Sequence, residues 1–156
     1  MTSTRAKGAA LQDEIRDSFK LVAPAAFRKI ADEVSPMTTA RPFDCFAAYK
    51  GVPLYIECKH YAALPVPLSV LKPHQAAALV DFDLALGNTP HFAGVALRVG
   101  DLRALIPIVV WKQRSRGSFN AEMLAEFAVE RVGKRWCWPD KAFSLSTFGE
   151  IAQNSE

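Results

Sequence analysis

The residues best suited to chemistry lie between Asp44 and Lys59, where Asp44-Cys45-Phe46-Ala47-Ala48-Tyr49 is followed by Lys50-Gly51 and then by Val52-Pro53-Leu54-Tyr55-Ile56-Glu57-Cys58-Lys59. The second run reads as an extended strand, in which residues two apart share a face, so Glu57 and Lys59 project together while Ile56 and Cys58 project the other way. A carboxylate and an ammonium thus stand on one side of an otherwise apolar strand. Lys50-Gly51 is a tight-turn dipeptide, which makes the first run the antiparallel partner of the second and brings Asp44 towards Glu57. Two carboxylates so placed offer hard oxygen ligands to one divalent cation, Mg²⁺ or Mn²⁺. With the lysine they form a set able to hydrolyse a phosphodiester: the cation polarises the phosphate and acidifies a water, and Lys59 orients that water or offsets charge developing on phosphorus. No nucleophilic side chain is required.

These residues need a scaffold, and the apolar periodicity outlines one. The spacing predicts a first helix from about Lys7 to Phe19, with Leu11, Ile15, Ser18 and Phe19 on one face. A second, short helix is expected after Pro24, a residue suited to a first helical turn; it would turn Ala26, Phe27, Ile30 and Val34 inward and end before Ser35-Pro36. After the hairpin, Lys72-Pro73-His74-Gln75 opens an Ala- and Leu-rich helix that Gly87-Asn88 stops. Two apolar runs, Phe92 to Val99 and Leu105 to Trp111, separated by Gly100-Asp101, read as inner strands. Asn120 is expected to cap a helix running to about Val132, with Met123, Leu124, Phe127 and Val132 inward. The tail from Lys134 carries Trp136, Trp138, Phe143 and Phe148 and is expected to pack against the body. This order predicts an α/β fold, a central mixed β-sheet flanked by helices, as a single domain over residues 1–156.

Pro42-Phe43-Asp44 taken with Glu57-Cys58-Lys59 resembles the signature of the PD-(D/E)XK nuclease superfamily. Within it, the chain is similar to Holliday junction resolvases of the archaeal Hjc and bacterial RecU type, including their phage-encoded relatives. The resemblance rests on Lys7-Gly8-Ala9-Ala10-Leu11 leading the first helix, Asp44 with the following Ala48-Tyr49-Lys50-Gly51, the strand Tyr55 to Lys59, and His74-Gln75 on the next helix; it covers roughly residues 5 to 111. It implies a PD-(D/E)XK nuclease-like sheet, metal ligation by Asp44, Glu57 and the carbonyl of Cys58, catalysis by Lys59 and a helper role for Gln75. It also implies Mg²⁺ as cofactor with Mn²⁺ as a substitute, branched DNA in the form of a four-way junction as substrate, and a homodimer whose two-fold symmetry supplies paired nicks in recombination, repair or phage DNA processing. Arg5, Lys7, Arg41, Lys50, Lys72 and His74 are the expected phosphate contacts, joined by the Lys112 to Arg116 segment, with the junction read by shape and backbone.

Two departures qualify the resemblance. The family usually places a glutamate on the first helix four residues after the glycine, where this chain has Gln12, followed by Asp13 and Glu14. Gln12 could offer its amide oxygen to a metal-bound water, or Glu14 could take the place if the helix is shifted. RecU-type enzymes carry a long insertion before the key aspartate, and the stretch from Asp32 to Arg41 is too short for it, which favours a compact Hjc-like body.

Composition bounds these readings. Of 156 residues, 50% are hydrophobic, 22% charged and 10% aromatic, the balance of one compact domain. No apolar run approaches the roughly 18 residues of a membrane span and no leader-like segment is visible, so neither a membrane nor a secreted location is expected. Three cysteines without paired spacing fit a reduced, cytoplasmic chain. Nineteen Lys and Arg against sixteen Asp and Glu leave +3, which permits an anionic partner without demanding one. No Walker-type loop is present, so no nucleotide cofactor is expected, and His60, His74 and His91 lack zinc-like spacing with the cysteines. Ordinary readings stand beside the chemical ones: a turn carboxylate for Asp44, a weak exposed ion pair for Glu57 and Lys59, a solvated helix face for Gln75. Two rival functions share the fold, an endonuclease acting on linear duplex in restriction, repair or nicking, and a DNA-binding module that has lost the reaction, as Gln12 would suggest.

Overall fold

The computed structural model describes residues 3–21, 25–30, 42–49, 51–114 and 116–137. Helix α1 spans Thr4–Lys20, starting a few residues earlier than the apolar spacing suggests because the Ser3 hydroxyl caps it, accepting the Ala6 N–H at 3.2 Å. Its buried stripe is the expected one: Leu11, Ile15, Ser18 and Phe19. Strands β1 (Ala25–Lys29), β2 (Cys45–Tyr49) and β3 (Val52–Tyr61) follow, each antiparallel to the next. The β2–β3 hairpin closes where expected, with Tyr49 opposite Val52 and Gly51 at a φ of 78°, a left-handed conformation that glycine adopts without steric cost.

A short strand β4 (Val66–Pro67) and a 3₁₀ turn at Leu68–Val70 lead to helix α2 (Pro73–Leu86). This helix begins on Pro73 and stops at Gly87, as its sequence signals. It returns the chain to β5 (Phe92–Val99), which lies parallel to β3, and β6 (Leu102–Pro107) turns back antiparallel to β5. Helix α3 (Ile108–Gln113), strand β7 (Ser118–Phe119), helix α4 (Ala121–Ala125) and the small hairpin β8 (Glu130–Val132) and β9 (Arg135–Cys137) complete the described chain. The main sheet has the order β1-β2-β3-β5-β6, and β4 pairs with β7 beside it.

Two cores form, one on each face. On one side Leu11, Ile15 and Phe19 of α1 pack with Cys45, Ala47, Leu54, Ile56, Cys58 and Ala96. On the other, Leu79 of α2 and Ile108 and Trp111 of α3 pack with Val95, Leu97 and Ile106. Each large side chain so buried contributes about 1.5–3 kcal/mol. Because β3 alternates, Glu57 and Lys59 fall on the α2 face and Cys58 on the α1 face.

Three expected elements are corrected. Residues after Pro24 form strand β1, not a helix: β2 needs an edge partner, and Phe27 reaches the core from a strand equally well, stacking on Phe19 with centroids 5.8 Å apart. Short apolar runs are ambiguous in this way; Val34 and Pro36 lie outside the described residues. The run Leu105 to Trp111 is half strand and half helix, breaking at Pro107, and β6 is the last strand of the sheet rather than an inner one. It is nonetheless apolar because residues 127–129 cover its edge, Leu105 donating to the Phe127 carbonyl at 3.0 Å and Val129 to the Arg103 carbonyl at 2.8 Å. That same pairing ends α4 at Ala125, far short of Val132, although Asn120 does cap it, accepting the Met123 N–H at 2.9 Å. Trp136 is buried as expected, its main-chain N–H donating to Ser18 Oγ at 2.8 Å; Trp138, Phe143 and Phe148 lie outside the described residues.

Candidate active site

The strand alternation and hairpin register bring Asp44 and Glu57 to one end of the β2–β3 pair, both nearly removed from solvent at 4% and 2% exposure. Asp44 precedes β2, and its Oδ2 accepts the main-chain N–H of Cys58 at 2.8 Å, which ties it to the middle of the Glu57-Cys58-Lys59 run. Lys59 donates from Nζ to Glu57 Oε1 at 2.8 Å and to Gln75 Oε1 at 2.8 Å. Gln75 in turn donates from Nε2 to Glu57 Oε1 at 2.6 Å. The three side chains form a closed triangle in which the Gln75 amide can point only one way. Gln75 Oε1 also accepts the Lys72 N–H at 3.1 Å, so the residue that caps α2 is the one that braces the carboxylate. The first turn of α2 therefore meets Glu57 with its positive end.

Cys58 contributes main chain, not sulfur. Burial pushes its thiol well above the usual value, reinforced by Cys45, whose sulfur is 3.7 Å away, and by the charges of Asp44 and Glu57. The thiol stays protonated among the apolar residues under α1. The side-chain oxygen donors brought together here are the Asp44 and Glu57 carboxylates. Such a set suits a hard cation that keeps several of its waters, as Mg²⁺ does. Among the described residues no group of three or more His, Cys, Asp or Glu side chains is placed to hold a metal.

Gln12 lies half-buried on α1, which covers the opposite face of the sheet, and among the described residues it makes no hydrogen bond to this triangle. Glu14 is not a substitute for it. Its carboxylate is taken up by Arg103, by Arg98 at 3.3 Å, by Arg131 at 3.7 Å and by the Trp136 indole N–H at 2.9 Å. Burial pushes Glu14 up, but the hydrogen bonds from Arg103 and Trp136 and the charges of Arg103 and Arg131 hold it below its ordinary value. Sequence reasoning missed this cluster; its signal was two arginines, Arg98 and Arg103, in otherwise apolar strands, placed symmetrically about the Gly100-Asp101 turn and opposite each other in register.

Of the expected phosphate contacts, Lys7, Lys72 and His74 are exposed. Arg5 is on α1 but its side chain, with Arg41 and Lys50, lies outside the described residues. In the basic run, Arg114 stacks over the Phe119 ring at 5.4 Å, while Lys112 and Arg116 face solvent. His60, on the α1 face, has its pKa lowered by burial and by the charges of Lys7 and Arg98. No described helix is long and apolar enough to cross a membrane.

No protein-family model matches the chain, and no curated protein matches it. Solved structures do. Hjc from Archaeoglobus fulgidus, a Holliday junction resolvase from an archaeal hyperthermophile, superposes with a TM-score of 0.52 at 21% identity, over 80% of this chain and 93% of that one. The bacterial homing endonuclease I-Ssp6803I gives a TM-score of 0.43 at 17% identity, over 99% of this chain and 94% of that one. The chain shares its fold, a central mixed sheet flanked by helices, with that resolvase.

Proposed function

We propose that this chain is a divalent-metal-dependent endonuclease that hydrolyses DNA phosphodiesters, and that its substrate is a four-way junction cut by paired nicks from a homodimer. The observation that carries this reading is the pair of buried carboxylates, Asp44 held by the Cys58 N–H and Glu57 braced by Lys59 and Gln75, on a fold shared with an archaeal junction resolvase. Buried carboxylates are costly, and a buried ion pair adds little to stability over apolar packing, so this arrangement is better explained by what the carboxylates hold.

Asp44, Glu57 and the Cys58 carbonyl would hold Mg²⁺, which when bound supplies Lewis acidity at the scissile phosphate. The chain's own residues do the positioning. The Cys58 N–H fixes Asp44, and Gln75 and Lys59 together aim Glu57. An ammonium has three N–H donors. Glu57 and Gln75 take two from Lys59, and the third serves the attacking water or a phosphoryl oxygen, where a fixed positive charge offsets the negative charge of the transition state.

The test is cleavage of a labelled immobile four-way junction beside linear duplex of the same sequence, with Mg²⁺ or chelator, for wild type and Glu57→Gln. Paired symmetric nicks confined to the junction are expected, abolished by chelator and by the substitution. Equal cutting of the duplex would remove the junction claim and leave a general endonuclease. Tight junction binding without cuts in Mg²⁺ or Mn²⁺ would leave a binding module.

A further inference from the structure

A second basic site lies on the other face of the same strand. The register sets His60 of β3 opposite Arg98 of β5, and Arg98 opposite Arg103 of β6, so three adjacent strands present a basic side chain at one level beneath α1. Among the described residues, the carboxylate that meets Arg98 and Arg103 is that of Glu14. Arg103, 7% exposed, is spent on it, binding both of its oxygens. Arg98 is not spent: its side chain is 32% exposed and its bonds, to Glu14 Oε2 and to the Gly100 carbonyl, are both long at 3.3 Å. Lys7 stands exposed near the start of α1, and its charge and that of Arg98 both act on His60. Of the neighbouring acids, Asp13 and Asp17 are engaged by Arg16 at 2.9 and 3.1 Å, and Asp101 lends Arg103 its main-chain oxygen at 2.9 Å, so that Lys7, Arg98, Arg103 and Arg131 outnumber the carboxylates of Glu14 and Asp101. Positive charge is therefore left over at the solvent edge.

We infer that Lys7, His60 and Arg98 form a clamp for one phosphate of the DNA backbone, adjacent to the phosphate served by Lys59. This rests on the nuclease reading above. A part-exposed guanidinium with N–H donors to spare, an ammonium and an imidazole match the several oxygens of a phosphate, and none of the three reads a base edge. The placement argues for the same backbone: His60 directly follows Lys59 on β3, and the two project from opposite faces near one end of that strand, so a strand of DNA crossing that end meets both. The clamp sets where the backbone lies without touching the reacting atoms.

The experiment is fluorescence anisotropy of a labelled four-way junction and of linear duplex in chelator, over a series of NaCl concentrations, for wild type, Lys7→Gln, Arg98→Gln and the double variant. Each single change is expected to weaken binding about 5–10-fold, alike on both DNAs, and to lower the slope of log affinity against log salt by about one. Arg98→Lys should recover most of the loss. In Mg²⁺, the DNA concentration that half-saturates cleavage is expected to rise in step with the loss of affinity. If the double variant binds as wild type does with the same salt slope, the clamp is overturned and the nuclease reading stands. If wild type binds neither DNA at any salt, the nuclease reading falls and the clamp with it. Lys7 is exposed, so Lys7→Gln keeps the test valid should Arg98→Gln unfold.

Discussion

Gln75 is the residue on which the site's order turns, because one amide meets Glu57, Lys59 and the N-terminus of α2 at once. Gln75→Ala is expected to lower kcat about 10–100-fold with KM little changed, the usual effect of removing a group that orients ligands rather than binding substrate. The lost cap bond should cost about 1 kcal/mol in a thermal melt. Unchanged kcat with the same stability loss would reduce Gln75 to a helix cap. Asp44, Glu57 and Lys59 were legible beforehand because strand alternation alone puts the last two on one face and a two-residue turn brings the first alongside. Gln75 was legible only through a resemblance, since nothing in its helix distinguishes it from a solvated glutamine. Glu14 was misread for the opposite reason: its partners lie on β5, β6 and the β8–β9 hairpin, and no local spacing announces them.

At the scale of elements, that carboxylate fastens α1 to the far edge of the sheet. Its folded pKa lies below the ordinary 4.5, so the unfolded chain binds the proton more readily. The stabilisation it brings is accordingly full above pH 4.5 and is lost as pH falls through the folded value. Glu14→Gln is expected to cost about 3 kcal/mol at pH 7, largely by leaving Arg103 buried without its counter-charge. Urea melts at pH 7 and pH 3.5 check this: the gap between variant and wild type should narrow at the lower pH, and a gap that does not change would refute the assignment. The elements themselves were mostly readable, with caps and stops at Asn120, Pro73 and Gly87 all used as their chemistry suggests. Where the reading failed at β1 and at the end of α4, a neighbouring strand edge claimed the backbone, and edge pairing outweighs helical propensity in runs this short; at α3 the reverse holds, pairing with β5 stopping at Pro107 and a helix taking over.

For the whole molecule, the reading proposed above requires two sites in two-fold register. Mixed dimers with one wild-type and one Glu57→Gln subunit are expected to nick one strand of the junction and leave it unresolved, while wild-type dimers give linear products; native and denaturing gels of the same reaction separate the two. Resolution at the wild-type rate by mixed dimers would show that the two sites do not act as a pair. The net charge of +3 says little about this, because the charge that matters is local. It is concentrated where the charges of Lys7 and Arg98 both act on His60 and neutralised where Arg103 meets Glu14.

What the sequence determined by itself was whatever depends on near neighbours along the chain: the hairpin, the shared face of Glu57 and Lys59, the buried stripe of α1 and the boundaries of α2. Those follow from the periods of strand and helix and from the turn chemistry of glycine and proline. The tertiary structure alone decided the partners of Glu14, the edge that Phe27 fills, the covering of β6 and the closure of the Glu57, Lys59 and Gln75 triangle. Each of these joins residues far apart in sequence, and only packing of the sheet against its helices sets those distances.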